Sequence, residues 1–205
     1  GPDIIISDVM MPVMDGFELC QKLKEDIRTS HIPVILLTAK DDIVSKVEGL
    51  KRGADAYLAK PFNKEELFIR LQKLIELRKQ LQLRYAEFTS PNPTDDPGTQ
   101  MEDIFLQKLQ EILTRYIGDE DFGILQLCNK MEISRPQLHR KLKALTNKST
   151  SFYIRSFRLH RAKQLLQTTN LNVSEIAFEV GFANLSYFSR VFKEEFGISP
   201  LETRR

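Results

Sequence analysis

At 205 residues, with 41% hydrophobic and 28% charged side chains, the chain has the composition of a globular protein long enough for one or two cores. No apolar run approaches the roughly eighteen residues of a membrane span, and the start lacks the basic, apolar and small-residue order of a signal segment. The expected setting is cytoplasmic. Gly1-Pro2 reads as the scar of a cleaved tag and is set aside. The only cysteines, Cys20 and Cys128, lie in half-apolar helical contexts and read as reduced core thiols with no metal-ligand spacing. The net charge is only +2, but residues 133–174 hold nine basic side chains and no carboxylate. Such a run favours a polyanionic partner over a merely solvated face.

Ile4-Ile5-Ile6 is a short β-branched run that ends at Ser7-Asp8 and predicts a buried strand. Asp15-Gly16 predicts a turn, followed by a helix from about Phe17 to Asp26 that buries Phe17, Cys20, Leu23 and Ile27. Val34–Leu37 predicts a second strand ending at Thr38, and Ala56–Ala59 a third ending at Lys60-Pro61. Between them, Val44, Val47 and Leu50 share one face of a helix closed by Gly53. Alternation of strand and helix implies a parallel sheet whose functional groups gather at the C-terminal strand ends. There stand Asp8, Thr38 and Lys60, a carboxylate, a hydroxyl and an ammonium suited to handling a phosphoryl group.

The run Asp8-Val9-Met10-Met11-Pro12…Asp15-Gly16, then Thr38-Ala39, then Gly53-Ala54-Asp55-Ala56-Tyr57-Leu58-Ala59-Lys60-Pro61-Phe62, resembles the receiver domains of two-component response regulators. The resemblance implies Asp8 as phosphoacceptor, Thr38 as switch hydroxyl, Tyr57 as switch aromatic, Lys60 as the phosphate-contacting lysine, and a cis Lys60–Pro61 bond. It also implies two further strand–helix units ahead of this strand, one ending in an acidic pair that holds Mg²⁺. In these residues only Asp8 and the backbone carbonyl of Met10 stand as metal ligands. Mg²⁺ is therefore expected in an intact receiver and not in this stretch. Ile4–Ile6 is expected as an exposed sheet edge able to pair with another chain.

Asn63 can cap a long helix from Lys64 towards Phe88, with Leu67, Leu71, Leu74, Arg78, Leu81, Tyr85 and Phe88 along one seam. Its outer half reads as a dimerising or signalling helix. Thr89–Thr99, with three prolines and a glycine, predicts a linker. A helix from about Met101 to Tyr116 follows, with Phe105, Leu109, Ile112, Leu113 and Tyr116 inward.

The second half is duplicated. Ser134–Thr146 and Asn184–Phe196 match at an offset of fifty, pairing Leu138 with Phe188, Arg140 with Arg190, Leu142 with Phe192 and Lys143 with Lys193. The preceding helices match at forty-nine, pairing Leu127 with Ile176 and Met131 with Val180, so the second turn is one residue longer and holds Gly181. On a helix, Leu138, Leu142 and Leu145 fall on one side, with Pro136, His139, Arg140 and Lys143 on the other. Phe188, Val191 and Phe192 likewise oppose Ser186, Ser189, Arg190 and Lys193. This is a tandem helix-turn-helix. Residues 150–168 predict a connector, about 28 Å long at 1.5 Å per residue, with Phe152, Ile154, Phe157, Leu159, Leu165 and Leu166 inward and Arg155, Arg158, Arg161 and Lys163 outward.

The run Gly181-Phe182-Ala183-Asn184-Leu185-Ser186-Tyr187-Phe188-Ser189-Arg190-Val191-Phe192-Lys193, ending in Phe196-Gly197-Ile198-Ser199-Pro200, resembles the C-terminal signature of AraC-type transcription regulators. The resemblance implies double-stranded DNA as partner, read by Gln137, His139 and Arg140 in the first copy and by Ser186, Ser189 and Arg190 in the second. Arg135, Lys143, Lys193 and the connector arginines are assigned to phosphate. The expected fold is α/β plus all-α, a truncated doubly wound (flavodoxin-like) receiver with three parallel strands, a long helix and linker, then an all-α tandem helix-turn-helix. The expected boundaries are 3–76 for the receiver part, 77–99 for the extended helix and linker, and 100–205 for the DNA-binding domain. The order receiver then AraC-type domain resembles the tail of hybrid two-component systems. A hybrid chain implies an upstream histidine kinase module, a parent chain anchored in the inner membrane and control of carbohydrate-utilisation genes, while a free-standing response regulator would look the same over these residues. The seam of the long helix and the exposed receiver edge each offer a surface for a homodimer. The stretch itself is expected to be non-enzymatic. The competing reading makes the receiver the working part and gives the basic helices a protein partner.

Overall fold

The computed structural model describes residues 2–39, 53–86, 88 and 97–204. The helix expected at Val44, Val47 and Leu50 and most of the linker lie outside these residues. The chain divides into two compact units, Gly1–Leu106 with Lys143–Asn147, and Gln107–Leu142 with Lys148–Arg205.

In the first unit, strands β1 (Ile5–Asp8), β2 (Val34–Ala39) and β3 (Ala56–Lys60) form a parallel sheet in the order β1-β2-β3, with Asp8 opposite Leu37 and Ala39 opposite Lys60. Both faces of β2 are covered, as its unbroken apolar run requires. Val34 and Leu36 pack with Phe17 and Cys20 of helix α1 (Gly16–Glu25), while Ile35 packs with Leu58 and with Leu74 of helix α2 (Lys64–Arg84). β1 ends the sheet, and Ile6 is 44% exposed there, as its edge position predicts.

Asp15-Gly16 does more than turn the chain. Asp15 caps α1 by accepting from the Glu18 amide at 2.8 Å, and Gly16 donates to the Val9 carbonyl at 2.9 Å. A Cβ on Gly16 would fall 2.3 Å from the Asp8 carbonyl oxygen, so only glycine lets the helix start this close to the strand end. Lys24 and Asp55 pair at 2.7 Å, and Asp55 also accepts from the Val34 amide, tying α1 to the start of β2 and β3.

Asn63 caps α2 as expected, accepting from the Glu66 amide at 2.8 Å. The helix stops at Arg84, short of Phe88. Tyr85 is its C-cap and is buried, its hydroxyl donating to Asp103 at 2.6 Å while Arg84 pairs with the same carboxylate at 2.9 Å. These ties occupy the end of the helix that the seam pattern assigned to a partner. Helix α3 runs Pro97–Arg115, so Pro97-Gly98-Thr99, expected as linker, belong to its first turn. Proline suits that position, because the first amides of a helix have no intrahelical acceptor.

The second unit is helical. α4 (Ile124–Met131) and α5 (Arg135–Thr146) form one helix-turn-helix, and α7 (Val173–Glu179) and α8 (Leu185–Phe196) the other. α6 (Thr150–Thr168) connects them, and α9 (Pro200–Thr203), capped by Ser199, closes the chain. Phe188 and Phe192 are wholly buried against Leu159 and Ala162 of α6 and Ile176 of α7. The buried face of α6 carries Tyr153, Ile154, Ser156, Leu159, Ala162 and Leu166. Phe152, Phe157 and Leu165, expected inward, are only half-buried.

The two turns solve the same problem differently. Gly181 takes φ +78° in the longer second turn; Glu132 takes φ 57° at the matching place in the first. A non-glycine residue there carries a backbone strain on the order of 1 kcal/mol.

His160 on α6 is half-buried, its Nδ1 at 2.9 Å from the Ser156 carbonyl and its ring edge-on to Phe196 at 5.0 Å. Burial holds its pKa below the ordinary 6.5; the Ser156 carbonyl and Glu195 oppose that shift, and Lys148 and Lys163 add to it. The unfolded chain therefore takes up the proton first as pH falls. The stability contributed by neutral His160 is complete above about pH 6.5 and declines below it. Thermal melts are expected to drop between pH 7.5 and 5.5, and the His160→Gln protein is expected to show a shallower drop. An unchanged slope would remove His160 from the account.

Candidate nucleic-acid interface and phosphate rim

In α5, Leu138, Leu142 and Leu145 are buried while Pro136, His139, Arg140 and Lys143 are exposed. In α8, Phe188, Val191 and Phe192 are buried, Ser186, Arg190 and Lys193 are exposed, and Ser189 is half-buried. Apolar backs seat both helices, so the outward residues are free to meet another molecule. Arg135, His139, Arg140 and Lys193 form no hydrogen bond or ion pair among the described residues.

Other outward residues are partly engaged. Gln137 Oε1 accepts from the Ser134 amide at 3.1 Å and from its hydroxyl at 2.7 Å, so its carbonyl end closes the start of α5. Lys143 donates to the Asn147 carbonyl at 2.9 Å, where Asn147 at φ 58° ends the same helix. Arg190 pairs with Glu194 at 3.1 Å; with side chains 64% and 54% exposed this i,i+4 pair is worth well under about 1 kcal/mol and is readily exchanged. The Arg190 guanidinium also lies 5.3 Å from the centre of the Tyr187 ring. Tyr187 was not singled out from sequence, although its place three residues before Arg190 puts the two on one face.

The carboxylate-free stretch is less outward than its charge suggests. Arg158 donates to the carbonyls of Gly181 at 3.0 Å, Asp119 at 2.6 Å and Phe122 at 3.3 Å, and burial lowers its pKa. It works as a structural clamp on these three carbonyls. Lys141 is 1% exposed, and Lys163 lies over the Phe196 ring at 4.6 Å. An unbranched aliphatic stem lets such cations cover apolar surface.

At the strand ends of the first unit, Lys60 Nζ and Asp8 Oδ2 form a short ion pair, and the Met10 amide reaches Asp8 Oδ1 at 3.4 Å. The hydrogen bond from Lys60 is the main cause that holds the Asp8 carboxyl below its usual range. The Lys60–Pro61 bond is cis. Thr38 is 2% exposed and its hydroxyl has no partner among the described residues. Tyr57 lies three residues before the rim, packed with the α1-side cluster; its hydroxyl is also buried without a partner, and burial pushes its pKa up. Asp8 and Lys60 are thus brought together, while Thr38 and Tyr57 point into packed surroundings.

The same rim tests the implied Mg²⁺. Asp8 offers one carboxylate, already engaged by Lys60, and no group of three or more His, Cys, Asp or Glu among the described residues could hold an ion. A small hard cation asks for near-octahedral oxygen coordination. These residues do not fit a resident Mg²⁺.

No described helix is long and apolar enough to cross a membrane. The response regulator receiver domain family matches residues 1–72, and a helix-turn-helix domain family matches residues 127–205. Over 199 residues the chain is 40% identical to a protein named histidine kinase P4 from Formosa agariphila, covering 97% of this chain and 14% of that protein. Over 74 residues it is 49% identical to the DNA-binding dual master transcriptional regulator RpaA of Synechocystis sp., covering 36% of this chain and 31% of that one. The chain therefore spans less than a third of the length of either relative. Among solved structures, a transcriptional regulator from Chromobacterium violaceum, described with AraC-type DNA-binding domain-containing proteins, aligns with TM-score 0.47 and 29% identity over 50% of this chain and 91% of that one. By its two matched segments, the chain carries a response regulator receiver segment followed by a helix-turn-helix domain.

Proposed function

We propose that this chain is the DNA-binding output part of a phosphorelay response regulator that controls transcription. The observation that carries the reading is the repeated exposure of Arg140 and Arg190, both in the second unit, at matching places on two helices with buried apolar backs. An arginine so presented can read a guanine edge in a major groove. His139, Ser186 and Ser189 are assigned to neighbouring base edges, the Gln137 amide NH₂ to a secondary contact, and Arg135, Lys143 and Lys193 to phosphates.

In the same proposal Asp8 accepts the phosphoryl group, with Lys60, Thr38 and Tyr57 as its contact and switch residues. Mg²⁺, held partly by Asp8 and the Met10 carbonyl, belongs to the receiver when further ligands are supplied. The long relative named a histidine kinase supports an upstream kinase module in a larger chain. Control of carbohydrate-utilisation genes, and a homodimer through the long helix or the receiver edge at Ile6, complete the reading. It places the output domain in the cytoplasm, where DNA is.

The test is binding to duplex DNA across a salt series. With about six to ten phosphates contacted, affinity is expected to fall by roughly a thousandfold or more between 50 and 200 mM salt. A flat profile for folded protein would sink direct DNA binding and turn the basic helices over to a protein partner.

A further inference from the structure

A groove of about 600 Å³ opens in the helical unit beside α8, within the size range of small-molecule sites. Its walls come from Phe122, Phe152, Phe182 and Tyr187, with Arg155 and Arg158 among them. The two arginines differ in state. Arg158 is occupied by three backbone carbonyls. Arg155 is half-buried, its guanidinium 5.0 Å from the Phe152 ring centre, and it makes no hydrogen bond or ion pair among the described residues. A partly desolvated guanidinium without a counter-anion, set in aromatic walls, is complementary to a negative charge carried on a flat apolar body. Ser149 and Ser151 at the start of α6 put hydroxyls and a helix N-terminus on the same wall, which favours the same sign. Glu120 also lines the groove, and its negative charge disfavours multiply charged anions such as nucleotides.

We propose that this groove is a binding site for a small aromatic carboxylate, with Arg155 as its anion contact. The site does not depend on the chain being a DNA binder. Tyr187 joins it to the proposed reading face, since it lines the groove and the Arg190 guanidinium lies 5.3 Å from its ring centre.

The test uses the full chain and 1-naphthoate. The protein contains no tryptophan, so naphthoate anisotropy can be followed directly. Saturable binding is expected, weakened about tenfold by Arg155→Ala, weakened less by Arg155→Lys, and weakened at least as much when neutral 1-naphthamide replaces the acid. Circular dichroism of both variants checks that they fold. Amide NMR shifts on titration are expected to cluster at Gly123, Arg155, Phe182 and Tyr187. Absence of saturation, equal binding by the Arg155→Ala protein, or equal binding of the amide would each overturn the proposal. So would displacement of naphthoate by duplex DNA together with an equal loss of DNA affinity in Arg155→Ala, because the guanidinium would then belong to a backbone phosphate.

Discussion

Replacing Arg140 and Arg190 together with alanine is expected to weaken binding to a selected operator by about thirtyfold to twenty-thousandfold. Each bidentate arginine–guanine contact is worth about 1–3 kcal/mol of discrimination, and the matching positions lie on separate helices, so the two losses are expected to add. Arg140 enters the contact unencumbered, whereas Arg190 first gives up its exposed pair with Glu194. That exchange takes little from the total, since exposed pairs contribute less than about 1 kcal/mol. Binding to scrambled duplex should fall far less, with the salt slope dropping by no more than about one per arginine. Fluorescence anisotropy on both duplexes separates these outcomes. Equal losses on operator and scrambled DNA would make the arginines phosphate contacts and leave base reading to other residues.

Gly181→Ala is the second large effect, and it acts on folding. At φ +78° alanine is strained to begin with, and its Cβ would sit 2.5 Å from the Ile117 carbonyl oxygen and 3.0 Å from Arg158 Cζ. The Ile117 oxygen is backbone, and the guanidinium is held by three carbonyls, Gly181's own among them. Neither neighbour can step aside cheaply. A loss of about 2–4 kcal/mol is expected, seen as a lower midpoint in thermal or urea unfolding. Gly197→Ala is the control, because φ is +75° there but nothing lies within 4 Å of the added carbon. It should cost only about 1–2 kcal/mol. If the two variants melted alike, crowding at Gly181 would not be the cause.

Patterns tied to a backbone period were legible from sequence. The strands show as short unbroken apolar runs, and the duplicated helices and their apolar backs follow from side chains that repeat every 3.6 residues. What depended on distant partners was not. Nothing local in the sequence marks Arg158 as a clamp, because its three acceptors come from Asp119, Phe122 and Gly181, and carbonyls have no sequence signature. Likewise α2 was expected to run on to Phe88 by its seam, yet Tyr85 and Arg84 find Asp103 and the helix ends. Gln137 could have been anticipated, since a serine followed three residues later by glutamine is itself a helix-start pattern. At the rim, spacing identified Asp8 and Lys60 as strand-end neighbours, but it could not tell that the Thr38 and Tyr57 hydroxyls would be packed without partners among the described residues. The basic stretch misled for a related reason. Charge counts ignore which cations are laid over aromatic rings or buried, as Lys163 and Lys141 are.

The two helix-turn-helix copies are joined head to tail in one chain, and they are not the same copy twice. One turns at Glu132 and offers His139 and Arg140; the other turns at Gly181, in a turn one residue longer, and offers Ser186, Ser189 and Arg190. A dimer of identical readers is blind to the direction of its site, since a palindrome looks the same from either strand. A single chain with two unlike readers has no such symmetry. On the proposed function the stretch of operator read by one chain carries an arrow, and reversing that stretch in place would present each reader with the other's bases.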